Sequence, residues 1–198
     1  MSLSDYNLKK PMDHKISEEN MRLLCKMLYE KDIKIFPIFG TLLGIYRDSK
    51  LIDGDNDIDL AIFSDQKQKF SELKDNLKKE GFKIINETRS IISIIRMGNY
   101  LDISVLYPIN FPLKGWISSV FFIPKRLISN FTEVDFNGFR YHCPKSPELM
   151  LKYFYGKSWN IPSSGTAKIS LVLAMLQKYV PKKIIKFILN LFFNNEKK

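Results

Sequence analysis

Residues 39–63 read FGTLLGIYRDSKLIDGDNDIDLAIF. Four aspartates, Asp53, Asp55, Asp57 and Asp59, occupy alternate positions just where the chain turns apolar. Successive side chains of a strand point to opposite faces. In Asp57-Ile58-Asp59-Leu60 the two carboxylates therefore share one face, and Ile58 and Leu60 share the other. The apolar face belongs to a core, which leaves the acidic face at a cleft. Two like charges about 6–7 Å apart along a strand repel each other. A divalent cation between them removes that repulsion, and magnesium takes hard oxygen ligands from carboxylates together with substrate phosphates. The stretch thus reads as a metal site for phosphoryl chemistry. A solvated acidic turn is the plainer alternative, since Asp-rich turns are common. An EF-hand calcium loop needs glycine at its sixth position and Glu at its twelfth. Counted from Asp53 or Asp55, the sixth residue is Ile58 or Leu60, which disfavours that reading.

Upstream, Gly40-Thr41 opens a short helix that runs to Arg47. Gly40 lets backbone approach a phosphate, and a helix start offers free N–H groups and a positive dipole end. Thr41 can donate a hydroxyl, and Arg47 can pair with a phosphate through two hydrogen bonds. Downstream, Tyr100-Leu101-Asp102-Ile103-Ser104-Val105-Leu106 alternates again, with Leu101, Ile103 and Val105 on one side and Asp102 and Ser104 on the other. An Asp within an apolar strand is costly unless paired or metal-bound. Asp102 is therefore a candidate third ligand and a general base for an incoming hydroxyl. A salt bridge to a neighbouring Lys or Arg is the structural alternative.

The rest of the chain supplies a frame. Ser17 to Lys31 reads as a helix capped by Ser17, and Ile33 to Phe39 as a short buried strand broken by Pro37. Ile58–Phe63 reads as a strand, and Ser64-Asp65 as the cap of a single helix from Gln66 to Glu80, stopped by Gly81. Three strands follow at 82–86, 90–96 and 100–106, the last two joined by a turn at Gly98-Asn99. Phe131 to Tyr141 reads as a hairpin turning at Asn137-Gly138. Pro147–Tyr155, Ala167–Tyr179 and Lys182–Phe193 read as helices. This order implies an α/β (α+β) domain, with one mixed sheet flanked by helices over residues 1–165 and a helical tail over 166–198.

Composition sets outer limits. The 198 residues are enough for one domain with a full core, and 45% hydrophobic content with 15 Phe argues against disorder. Cys25 and Cys143, the two cysteines, form neither a disulfide framework nor a zinc site, so a reducing, cytoplasmic setting is expected. The first residues carry no apolar signal-peptide core, and no run of 18 apolar residues reads as a membrane span. His142, beside Cys143, lacks metal-binding partners and reads as structural. A net charge of +10 points to an anionic partner or, equally, to a Lys-rich proteome. The basic residues are scattered rather than gathered with aromatics in one stripe, so no nucleic acid is expected. Lys182, Lys183, Lys186 and Asn190 line one side of the last helix, and apolar residues cover the rest. That helix either lies in the interface of an anionic membrane, on the inner face of the plasma membrane, or packs on protein.

GTLLGIYR followed by DGDNDIDLAIF resembles the LicD/fukutin family of phosphocholine and polyol-phosphate transferases, within the nucleotidyltransferase (polymerase-β-like) superfamily. Leu101-Asp102-Ile103 falls where that family has its third acidic residue, and ELMLKYFYGKSWNIP (148–162) resembles its closing block. Two departures stand out: Asp53-Gly54 replaces the family's Pro-Trp, and Asn56 replaces the middle Asp. The resemblance implies a nucleotidyltransferase-like fold and transfer of a phospho-alcohol from a CDP-linked donor to a hydroxyl of a cell-surface glycan or lipid-linked glycan. It further implies that Asp57, Asp59 and Asp102 bind Mg²⁺ or Mn²⁺, with Asp102 activating the acceptor. Gly40, Thr41 and Arg47 would hold donor phosphates, and Asp55 would contact donor or acceptor. Apart from the resemblance, Trp159 reads as packing or a pocket wall, and Tyr155 and Trp159 are candidates to stack on the cytosine. Two other readings stay open: a nucleotidyltransferase moving NMP from an NTP, and a non-catalytic basic module.

Overall fold

The computed structural model describes residues 10–110, 114–118 and 121–162. The expected tail helices at Ala167–Tyr179 and Lys182–Phe193, and the domain boundary at 165, lie outside the described residues.

Helix α1 (His14–Tyr29) starts a turn earlier than expected, because Asp13 caps it by accepting from the Ile16 N–H at 3.0 Å. Ser17 is not the cap. It is fully buried in the helix stripe formed with Asn20, Met21, Leu24, Cys25 and Leu28. Strand β1 (Phe36–Pro37) is short and lies at the sheet edge, where proline costs no ladder bond. Helix α2 (Phe39–Leu43) runs into a π-helical turn at Gly44–Asp48, followed by strand β2 (Asp57–Phe63).

The expected long helix at 66–80 is three pieces: a 3₁₀ turn at Ser64–Gln66, α3 (Lys67–Glu72) and α4 (Lys74–Lys79). The break is at Leu73, whose N–H bonds the carbonyl of Phe70 three residues back. That tighter turn keeps Phe70, Leu73 and Leu77 all buried. Ser64 and Asp65 lie within the 3₁₀ turn, and Gln66, which precedes α3, makes no side-chain capping bond.

Strands β3 (Lys83–Glu87), β4 (Ile91–Arg96) and β5 (Asn99–Ile109) follow as antiparallel neighbours. The β4–β5 turn is Met97-Gly98, both at positive φ, rather than Gly98-Asn99. Asn99 instead begins β5 as a buried tie to α1. Its Oδ1 accepts from the Asp13 N–H (2.8 Å) and the Ser17 hydroxyl (3.2 Å), and its amide donates to the Met97 carbonyl (3.0 Å). A hairpin absent from the sequence reading, β6 (Gly115–Ser118) and β7 (Phe121–Pro124), extends the sheet from the end of β5. Gly115 is required there, since a Cβ would fall 2.5 Å from the Phe122 ring. The hairpin β8 (Phe131–Phe136) and β9 (Phe139–Pro144) turns at Asn137-Gly138 as expected and forms a separate two-stranded sheet. Helix α5 spans Pro147–Tyr155.

The main sheet is mixed, in the order β1-β2-β5-β4-β3, with β2 and β5 parallel. One face (Ile58, Leu60, Ile62, Leu101, Ile103, Val105, Ile92 and Ile94) packs in one core with α1, α3 and α4. A second core gathers Phe36, Ile38, Leu42, Ala61, Phe121, Ile123 and Phe154 between α2, α5 and the other side of the sheet.

Asn99→Ala would leave the Asp13 N–H and the buried Ser17 hydroxyl without an acceptor. The expected loss of stability is about 2 kcal/mol, read as a lower urea midpoint at unchanged slope. An unmoved midpoint would show that the α1–β5 tie is dispensable.

Candidate active site

The parallel register places Asp59 directly beside Asp102 and Asp57 beside Tyr100. Adjacent strands lie about 4.8 Å apart, so the three carboxylates share one face across two strands. On the other side of β5, Ser93 pairs with Asp102 in the antiparallel register of β4. The Ser93 hydroxyl donates to Asp102 Oδ1 at 2.5 Å, and the Tyr100 hydroxyl also donates to Asp102.

Electrostatics at this face are unfavourable as it stands. Burial, and then the charges of Asp55 and Asp102, push the Asp57 carboxyl up to about 7. Burial and the charges of Asp57, Asp55 and Asp102 hold Asp59 well above the usual carboxylate range, while the Gly40 N–H pulls it down. Burial raises Asp102, partly offset by the bonds from Ser93 and Tyr100. None of the three has an ion-pair partner among the described residues. The salt-bridged alternative for Asp102 is therefore not what the structure contains.

The remaining candidates gather around this face in different ways. Gly40 lies in the first turn of α2 beneath Asp55, where a Cβ would stand 2.5 Å from Asp55 Oδ2. Thr41 is buried, and its hydroxyl oxygen accepts from the Asp59 N–H at 2.8 Å, fixing β2 against α2. Arg47, in the π-helical turn, is held by its neighbour Asp48 through two bonds of 2.9 and 2.6 Å, and its third nitrogen reaches the Trp159 carbonyl at 3.5 Å. Tyr155 faces the acidic side: after burial, the charges of Asp59 and Asp55 raise its hydroxyl, and Arg47 lowers it. Trp159 packs on Tyr46, with ring centroids 5.9 Å apart. The closing block thus sits over the α2 turn.

Sequence reasoning missed four contributors. Ser93 could be found only once the β4–β5 register was known. Tyr100 was visible in the alternation that marked Asp102. Asp48 ties Arg47, and Tyr46 links the site to α5 by donating to Glu148 at 3.1 Å.

The fold is that of a recognised group. The LicD/FKTN/FKRP nucleotidyltransferase domain matches residues 32–146. The chain belongs to the LicD/FKTN/FKRP family. No curated protein matches it. Among solved structures, ANT(2″)-Ia with adenylyl-2″-tobramycin is 13% identical, with a TM-score of 0.51 over 91% of this chain and 98% of that one. The solution structure of ANT(2″)-Ia gives 14% identity and 0.51, over 93% and 94%. The lincosamide adenylyltransferase LnuA gives 15% and 0.48, over 71% and 90%. The two ANT(2″)-Ia likenesses show a nucleotidyltransferase fold. Family membership on that fold makes the LicD-family chain a transferase of nucleotide or phosphate-containing groups.

Whether the acidic face suits a metal ion turns on its donors. Three carboxylates with raised ionisation and no cationic partner are the hard-oxygen set that Mg²⁺ prefers. The chemistry fits. The side chains are not drawn together into a coordination shell among the described residues, and one oxygen of Asp102 is occupied by Ser93.

Because Asp57 ionises near pH 7 in the fold and at 3.8 when unfolded, its contribution is complete below about pH 4 and is lost as pH rises through 7. A shift of that size is at most on the order of 4 kcal/mol, and solvent screening reduces it to about 1–2 kcal/mol. In metal-free buffer Asp57→Asn should therefore melt above wild type at pH 8, with the gap narrowing toward pH 5. A gap independent of pH would disprove that burial and the neighbouring carboxylates raise Asp57.

Proposed function

We propose that the protein transfers a phospho-alcohol, such as phosphocholine or a polyol phosphate, from a CDP-linked donor to a hydroxyl of a cell-surface glycan. The observation that carries this reading is the face shared by Asp57, Asp59 and Asp102 inside the LicD match. The acceptor oxygen attacks the phosphorus that bears the alcohol, the bond to the CMP oxygen breaks, and CMP leaves with that electron pair. Asp102 takes the acceptor's proton. Its raised basicity suits a general base, and the Ser93 and Tyr100 hydroxyls hold its carboxylate in place. Asp57, Asp59 and Asp102 would hold a divalent cation, which when bound supplies positive charge against the donor pyrophosphate. Arg47 would exchange its Asp48 contact for a phosphate oxygen, while Gly40 keeps the α2 backbone low enough for Asp55 to lie over it. Tyr155 and Trp159 would wall the cytidine side.

The test is CMP release from CDP-choline, CDP-glycerol and CDP-ribitol with Mg²⁺ and a hydroxyl acceptor, beside pyrophosphate release from CTP and ATP. One CDP-alcohol should be turned over. Asp57→Asn and Asp59→Asn should each lose several orders of magnitude in rate while remaining folded. Pyrophosphate release without CMP release would reassign the protein as a nucleotidyltransferase. Full activity in the double variant without metal would overturn the site itself.

A further inference from the structure

The net charge of +10 is not spread along the chain. Residues 1–102 carry 17 Lys and Arg against 17 Asp and Glu, whereas residues 103–198 carry 14 against four. Lys and Arg are about as frequent in each half, so the imbalance lies in the scarcity of acids in the second half, which leaves few carboxylates to offset its cations.

The described part of that half concentrates its cations around α5. Lys125 and Arg126 are exposed on the 3₁₀ turn Lys125–Leu127, which packs against α5 and follows the β6–β7 hairpin. The Lys125 N–H bonds the carbonyl of exposed Lys114, which brings the two residues side by side. The Arg126 charge reaches the Tyr153 hydroxyl of α5. Lys145 leads into α5, and Lys152 is exposed on it. None of these five makes an ion pair among the described residues. Glu148 is the one acid between residues 136 and 162, and it accepts from Tyr46.

Apolar side chains stand among these charges. Leu149 is 53% exposed and shares the face of Lys152 three residues on, and Ile161 is 62% exposed. At about 100° per residue, the outward arc of α5 runs from Tyr155, facing the carboxylates, and Glu148, beside Tyr46, through Lys152 and Leu149, to Tyr153 beside Arg126. The basic, partly apolar surface therefore begins at the rim of the site. Unpaired cations interspersed with exposed aliphatic residues match an anionic lipid surface, in which headgroup charge and acyl boundary are both met. A soluble polyanion would use the charges and leave Leu149 and Ile161 in water.

We propose that the folded domain docks on an anionic membrane through Lys125, Arg126, Lys145, Lys152 and Leu149 around α5. This holds the acidic site at the membrane surface, independently of the C-terminal tail and of the reaction catalysed.

The full chain is mixed with phosphatidylglycerol–phosphatidylcholine vesicles and, separately, with phosphatidylcholine alone, and bound protein is measured by flotation. Lys125→Glu/Arg126→Glu/Lys152→Glu is compared with Lys69→Glu/Lys78→Glu/Lys79→Glu, an equal charge change at exposed positions on α3 and α4. Circular dichroism confirms that both are folded. Wild type should bind only the anionic vesicles, the α5 triple should bind roughly 100-fold more weakly, and the α3–α4 triple should bind close to wild type. Leu149→Ser should weaken binding without altering its salt dependence. Equal loss in both triples would mean net charge alone. An unchanged α5 triple would move the contact to the tail or elsewhere. Preference for heparin or single-stranded RNA over the vesicles would identify a soluble polyanion. Each of these three results overturns the proposal.

Discussion

The pairing of β2 with β5 is the constraint on which both the core and the acidic face depend. Seven consecutive pairs, Asp57 with Tyr100 through Phe63 with Leu106, set the two strands in parallel. Side chains alternate with a period of two, so a slip of one residue would pair the acidic face of one strand with the apolar face of the other. Ile58, Leu60, Leu101 and Ile103 are all fully buried against the helices. Their burial, at about 1.5–3 kcal/mol each, opposes what the carboxylates lose by burial and mutual repulsion. The hydrophobic side of the sheet thus holds the charged side in an arrangement it would not choose for itself.

That arrangement is also braced locally. The Thr41 hydroxyl accepts from the Asp59 backbone, the Gly40 N–H donates to the Asp59 carboxylate, and Ser93 and Tyr100 donate to Asp102. The Gly40, Ser93 and Tyr100 donors are neutral, so they reduce the repulsion without cancelling the charge. A cationic side chain in the same place would cancel it and would also fill the cleft. Carboxylates kept in such an arrangement by packing mark a candidate functional site.

Much of this was legible from residue order alone. Alternation marked Asp57, Asp59 and Asp102, and Asn137-Gly138 marked a hairpin, because both signals act within a few residues. The failures came where distant groups decided. Ser17 looked like a helix cap, yet its hydroxyl belongs to Asn99, 82 residues away. Asn99 looked like a turn residue, yet its amide ties α1 to β5 and leaves the turn to Met97-Gly98. Leu73 breaks a helix with no Gly or Pro to announce it, because the sheet above demands three buried side chains. The β6–β7 hairpin was invisible for a similar reason: its pairing partner is the far end of β5. Ser93 carries no local signal at all.

Helix α5 shows how one short element can serve two surfaces. Met150, Leu151 and Phe154 anchor it in the second core, with Phe154 packed edge-on to Phe39 at 4.7 Å. Phe39 is the first residue of α2, so the same aromatic contact that seats α5 also seats the helix carrying Gly40 and Thr41. With its buried side spent on that contact, the rest of α5 is free to differ around its circumference. Tyr155 turns toward the carboxylates, while Leu149 and Lys152 turn to solvent. One aromatic contact therefore seats both the turn that carries Gly40 and Thr41 and the outward surface of α5, while the carboxylates beside them are set by the β2–β5 pairing.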